Sequence, residues 1–156
     1  MKIKICVMGL GYVGLPLILN LSKKLECVGF DVNENRIKNL KNKIDTNKEF
    51  KSSNFEKRKI IFTSKINEIK NCNFFIVCVP TPITSNKKPD LNNLNFAIKT
   101  LSKVLKKEDL IFIESTIYPG LTEHYQNFLE KKTKLKHNRE FFIGYSPERV
   151  NPGDKN

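Results

Sequence analysis

The chain has 156 residues, 39% hydrophobic and 28% charged, enough for one globular domain with a sizeable core. No apolar run approaches the ~20 residues of a membrane span, and the amino-terminal run breaks into glycines without a cleavage site, so a cytoplasmic protein is expected. The formal charge of +12, from 28 Lys+Arg against 16 Asp+Glu, is carried by scattered lysines without interleaved aromatics, so no specific nucleic-acid binding is expected.

Ile3 to Met8 is a short apolar run that ends in Gly9-Leu10-Gly11-Tyr12-Val13-Gly14. A helical pattern follows through Leu21 and Leu25, with Leu15, Ile18 and Leu19 on the packing face. Pro16 falls in its first turn, where a missing N–H costs nothing. Cys27 to Phe30 reads as a second strand closed by Asp31, and Asn33 caps a helix carrying Ile37, Leu40 and Ile44. Residues 45–59 lose periodicity and read as a loop with one short helical turn. Ile60 to Thr63 is a third strand, after which Ser64 caps a short helix with Ile66 and Ile69.

The run Asn73 to Val79 is continuously apolar, as a central parallel strand is, and Pro80-Thr81-Pro82 ends it. A polar loop leads to a helix over about 91–106 with Leu94, Ile98, Leu101 and Leu105 on one side. Asp109 to Glu114 is a fifth strand, STIYPG turns into a helix reaching about Lys132, and Phe141 to Gly144 is a sixth strand. The last residues, 145–156, have no period. Six strands alternating with helices predict a Rossmann-like, doubly wound parallel sheet with helices on both faces, its ligand at the carboxyl ends of the strands.

The turns GLGYVG, DVNENR, PTP and STIYPG all fall on that edge. Gly9 suits the tight turn, Gly11 close approach of backbone to a pyrophosphate, and Gly14 close packing of helix on strand, with the helix N-terminus facing the anion. Asp31, about 20 residues on, is placed to accept from ribose hydroxyls and to repel a 2′-phosphate, which favours NAD over NADP. Arg36 is the complication, because an arginine near the ribose can hold a phosphate; it can also lie along the adenosine or face solvent. Thr81 and Thr116 end two inner strands beside proline turns, and together they favour cofactor contact over local capping. Cys6, Cys27, Cys72 and Cys78 lie in or beside apolar runs without CxxC or paired His spacing, so they read as buried free thiols and no metal site is expected.

The segments GLGYVGLPL, GFDVNENRI, VCVPTPI with PDL, ESTIYPG and GYSPERVNPGD resemble the NAD-binding domain of the nucleotide-sugar 6-dehydrogenases. IDTNKEF and YSPERVNPGD are most similar to the UDP-N-acetylglucosamine/UDP-N-acetylgalactosamine branch. The resemblance implies oxidation of a UDP-sugar C6 hydroxyl to a carboxylate for surface polysaccharide synthesis, with two NAD⁺ used in sequence and a cysteine that traps the aldehyde. It assigns Gly9, Gly11, Tyr12, Val13, Gly14, Asp31, Arg36, Thr81, Ser115 and Thr116 to NAD. It makes Thr116 and Glu148 the groups that position and deprotonate a water, and places Glu148, Arg149 and Val150 beside the sugar. The family's cysteine motif, central helix and sugar-nucleotide domain have no counterpart in the 156 residues. One NAD-binding domain over residues 1–156 is therefore expected, a fragment inactive alone, of an enzyme that is a homo-oligomer when whole.

Overall fold

The computed structural model describes residues 2–56 and 58–147. Strand β1 (Ile5–Met8) leads into helix α1 (Gly14–Leu21), then β2 (Cys27–Phe30), α2 (Glu34–Lys41) and β3 (Ile60–Thr63). The second half runs β4 (Phe74–Val77), α3 (Asn92–Leu101), β5 (Asp109–Ile113), α4 (Leu121–Thr133) and β6 (Phe141–Tyr145). All neighbours pair in parallel in the order β3-β2-β1-β4-β5-β6. The chain therefore winds outward twice from the β1/β4 junction. That reversal is the switch point of a doubly wound sheet, where ligands bind.

Strand alternation sorts the core into two layers. Cys6 and Met8 of β1 point into the cluster with Leu94, Ile98, Tyr125 and Leu129, which α3 and α4 supply. Ile5 and Val7 point into the other, with Leu15, Ile18, Ile37 and Leu40 from α1 and α2. Burial on both faces explains why β1 and β4 read as unbroken apolar runs.

Three helices are shorter than their sequence patterns suggest. After α1, Ser22 turns its hydroxyl onto the Leu19 carbonyl (3.0 Å), and Leu25 lies beyond the helix, partly exposed. Beyond α2, Lys43 takes φ 60°, which swings Ile44 into solvent instead of onto the helix face. At the end of α3, Ser102 donates to the Lys99 carbonyl at 2.9 Å and the chain turns before Leu105. In each case a local side-chain bond or a left-handed residue ended a pattern that apolar spacing alone would extend. Ser64 is not a cap either. Thr63 Oγ1 accepts from the Lys65 N–H (2.9 Å), and Ile66–Ile69 is a single 3-10 turn. Residues 45–59 hold one such turn, Ser52–Phe55.

Candidate cofactor site

A cleft of about 820 Å³ opens at the β1/β4 switch point. Its floor is the Gly9–Gly11 turn after β1 and Cys78–Pro80 after β4; Asp31 and Val32, just after β2, form part of one wall, and α3 contributes Phe96.

Two of the glycines are sterically required where they stand. Gly9 has φ 90°, and a Cβ there would sit 2.7 Å from the Cys78 carbonyl oxygen. A Cβ on Gly14 would fall 1.8 Å from the Gly9 oxygen, so the first turn of α1 can rest on the glycine turn only without a side chain. A Cβ on Gly11 would meet nothing within 4 Å, which leaves its backbone open on the cleft side. Val13, the N-cap of α1, supplies no capping side chain, and Pro16 has no N–H. The Leu15 N–H is taken by the Gly11 carbonyl at 3.2 Å, which leaves the Gly14 N–H of that turn for an anion.

Leu10, between the glycines, is fully buried, and side chains from the end of β2 and from α2 hold both its backbone groups: Asp31 follows β2 and Arg36 lies in α2. Its N–H donates to Asp31 Oδ2 at 2.8 Å, and its carbonyl accepts from Arg36 Nε at 2.9 Å. Asp31 Oδ1 accepts from the Asn33 N–H at 2.9 Å. Each carboxylate oxygen keeps a further lone pair, so Asp31 can still receive a ribose hydroxyl. The turn and Asp31 are thus one hydrogen-bonded unit.

Arg36 does not face solvent. It is 8% exposed, and Nη1 donates to Asp45 Oδ1 and Thr46 Oγ1, both at 2.8 Å. Asp45 also accepts from the N–H groups of Asn47, Glu49 and Phe50 at 3.1, 3.0 and 3.1 Å. Burial pushes its carboxyl upward, but the Arg36 guanidinium and these backbone donors outweigh that and hold it below the usual range.

On the second half of the sheet, Thr81 Oγ1 donates to the Thr116 carbonyl at 2.8 Å and Ser115 Oγ to the Val79 carbonyl at 2.6 Å. Thr81 and Thr116 are thereby brought together, as the two strand ends suggest. Ser115 is buried, and its hydroxyl joins β5 to β4. Tyr12 is exposed beside the turn, and neither it nor the two threonines form the cleft wall. Glu148, Arg149 and Val150 lie outside the described residues. The four cysteines are buried and unbridged, and burial pushes Cys27 up to about 11 and Cys6 well above its ordinary value. Neither is a nucleophile at neutral pH.

Sequence reasoning missed three residues. Asp45 sits in a polar stretch with no period to single it out. Phe96 and Val32 are 55% and 60% exposed. A large apolar residue off the buried face of its own helix, or just beyond a strand-ending acid, was the available signal.

This arrangement defines a doubly wound domain of the dinucleotide-binding type, with a glycine turn, a helix N-terminus and a strand-ending acid at the switch point. Residues 3–156 match the family model described as the UDP-glucose/GDP-mannose dehydrogenase family, NAD binding domain, and the chain belongs to that family. It is 48% identical over 99% of its length to the UDP-N-acetyl-D-glucosamine 6-dehydrogenase of Salmonella typhi, and 45% over 99% to Protein CapL of Staphylococcus aureus. In each case it covers 37% of the relative. Among solved structures, the UDP-D-ManNAc dehydrogenase of Pyrococcus horikoshii superposes with TM-score 0.89 at 36% identity, covering 97% of this chain and 37% of that one. The chain thus spans a little over a third of the relatives it matches. Among the described residues no helix is long and apolar enough to cross a membrane.

Proposed function

We propose that this chain is the cofactor-binding part of an NAD-dependent dehydrogenase that oxidises the C6 hydroxyl of UDP-N-acetylglucosamine or UDP-N-acetylgalactosamine to the uronate. The observation that carries the cofactor half is the switch-point cleft, where Leu10 is held between Asp31 and Arg36 beside an open Gly11 backbone. The residues present fit a dinucleotide. Gly9–Gly14 and the first turn of α1 would hold the pyrophosphate, Asp31 the adenine ribose, and the exposed Val32 and Phe96 the faces of the adenine. When bound, NAD⁺ supplies the hydride acceptor. Thr81 and Thr116, cross-linked at the ends of β4 and β5, would border its nicotinamide side.

The sugar half rests on the 48% identity to a UDP-N-acetyl-D-glucosamine 6-dehydrogenase. Glu148, Arg149 and Val150 would face the sugar, and Thr116 and Glu148 would orient and deprotonate the hydrolytic water. We place the enzyme in the cytoplasm, as a homo-oligomer serving surface polysaccharide synthesis, with residues 1–156 forming one NAD-binding domain. Two experiments test this reading. Calorimetric titration of the chain should give heat with NAD⁺ and weaker or no heat with NADP⁺; no heat with either overturns the cofactor half. NADH formation by the whole enzyme should be fastest with an N-acetylated UDP-sugar; a preference for UDP-glucose overturns the substrate half.

A further inference from the structure

In a chain with 28 Lys+Arg, a single cation lines the cofactor cleft among the described residues, and it is Arg36. The wall around it is neutral: Asn35, Asn39, Thr46 and Asn47. Its guanidinium is committed to the interior, with Nε on the Leu10 carbonyl and Nη1 shared between Asp45 and Thr46. Nη2 is buried and has no partner among the described residues. The group holding it is itself immobilised. The Asp45 side chain is 0% exposed, and three backbone N–H donors fix it in addition to Arg36.

An arginine beside an adenosine ribose is the ordinary receptor for a 2′-phosphate, because its planar fork can bind phosphate through two parallel hydrogen bonds. Here one arm of that fork, Nη1, is spent on Asp45 and Thr46, and the other, Nη2, is buried. To turn Nη1 and Nη2 outward, the arginine would have to abandon a buried carboxylate, which strands an uncompensated charge.

We propose that Asp45 is a positioning residue that sets the choice of NAD over NADP by pinning Arg36 inward, so that a 2′-phosphate entering the cleft meets no outward-turned guanidinium. The proposal rests on the reading of the cleft as a dinucleotide site. It divides the discrimination between two acids: Asp31 repels the phosphate directly, and Asp45 withholds the group that would attract it.

The test is calorimetric titration of the chain and its variants with NAD⁺ and NADP⁺, with the melting temperature of each variant recorded. Wild-type heat with NAD⁺ establishes the site first, so failure of the cleft reading is seen separately. In Asp45→Asn the ratio of Kd for NADP⁺ to Kd for NAD⁺ should fall about tenfold, and in the double variant Asp45→Asn/Arg36→Gln it should return to the wild-type value. Asp45→Glu, which keeps the charge, should leave the ratio in place. A merely structural role for Asp45 would weaken both cofactors in the same proportion, and that result overturns the proposal. Asp31→Asn decides the matter even if the Asp45 variants do not fold. With Arg36 still pinned, the preference for NAD⁺ should persist in that variant, and its complete disappearance would overturn the proposal.

Discussion

Two aspartates are buried beside a cation at opposite edges of this sheet, and what holds each one differs. Asp45, under the cofactor cleft, meets an arginine that is itself buried and three backbone N–H groups. Asp109, the first residue of β5 at the amino edge, meets only Lys106 among the described residues, through its backbone N–H at 2.9 Å and its Nζ at 2.6 Å. Lys106 is half exposed, and its Nζ also reaches the Cys72 carbonyl. Burial pushes both carboxyls upward. At Asp45 the guanidinium and the backbone donors win and the shift is downward; at Asp109 burial wins over Lys106 and the shift is upward. Fixed donors make a buried charge a rigid part, whereas a flexible ammonium only tolerates one. The rigid version lies beside the switch-point cleft.

Gly14→Ala should break the cofactor edge outright, abolishing binding as well as lowering stability. Its Cβ would fall 1.8 Å from the Gly9 oxygen and 3.2 Å from Val7 Cγ1, with backbone on one side and core on the other. The cost should reach about 3 kcal/mol in urea unfolding, with NAD⁺ binding lost. Gly11→Ala is the control, since nothing lies within 4 Å of its Cβ position. It should keep the melting temperature and weaken only the cofactor; equal destabilisation of the two variants would sink the distinction between packing glycine and ligand glycine.

Removing Asp45 comes next. Asp45→Ala strands the Arg36 charge and three backbone donors, and should cost about 3–5 kcal/mol. Because its folded pKa is lowered, the stabilisation from Asp45 is fully present above the unfolded value of roughly 3.9 and is lost as pH falls through the folded value. The stability gap between wild type and Asp45→Asn should therefore be wide at pH 7 and shrink below about pH 4. A gap independent of pH would mean that packing, not charge, makes the contribution.

How much of this was legible in the sequence depends on the range of the interaction. Strand positions followed from apolar runs, and β2 and β3 fall on the residues the pattern marks, Cys27–Phe30 and Ile60–Thr63. Gly9, Gly14 and Asp31 could be assigned jobs because the strand–turn–helix–strand order fixes their surroundings. The Asn33 cap held for the same local reason, its side chain accepting from the Arg36 N–H. Arg36 and Asp45 are nine residues apart in a stretch whose second half has no period, and nothing local says that the loop folds back under the helix. Phe96 escaped for the opposite reason: periodicity marks buried faces, and Phe96 is on the exposed one. Its truncation should be mild. Phe96→Ala should weaken NAD⁺ about fivefold, near 1 kcal/mol, without lowering the melting temperature. Unchanged affinity would remove it from the adenine wall.

The smallest effect belongs to the other aspartate. Asp109→Asn keeps an acceptor for the Lys106 N–H, and the half-exposed Lys106 ammonium returns to water at little cost, so stability at pH 7 should change by less than about 1 kcal/mol. The sign of the pH dependence is the informative part. A folded pKa above the unfolded one means that the native state holds the Asp109 proton longer, so wild-type stability falls as pH rises from roughly 3.9 through the folded value and is level above it. Asp109→Asn has no such proton to lose, so relative to wild type it should gain stability across that window, opposite in direction to Asp45→Asn. Urea midpoints for the three proteins at several pH values between about 3 and 7 measure both slopes together. If both asparagine variants drift the same way against wild type, the two buried charges are held alike and the contrast between the edges fails.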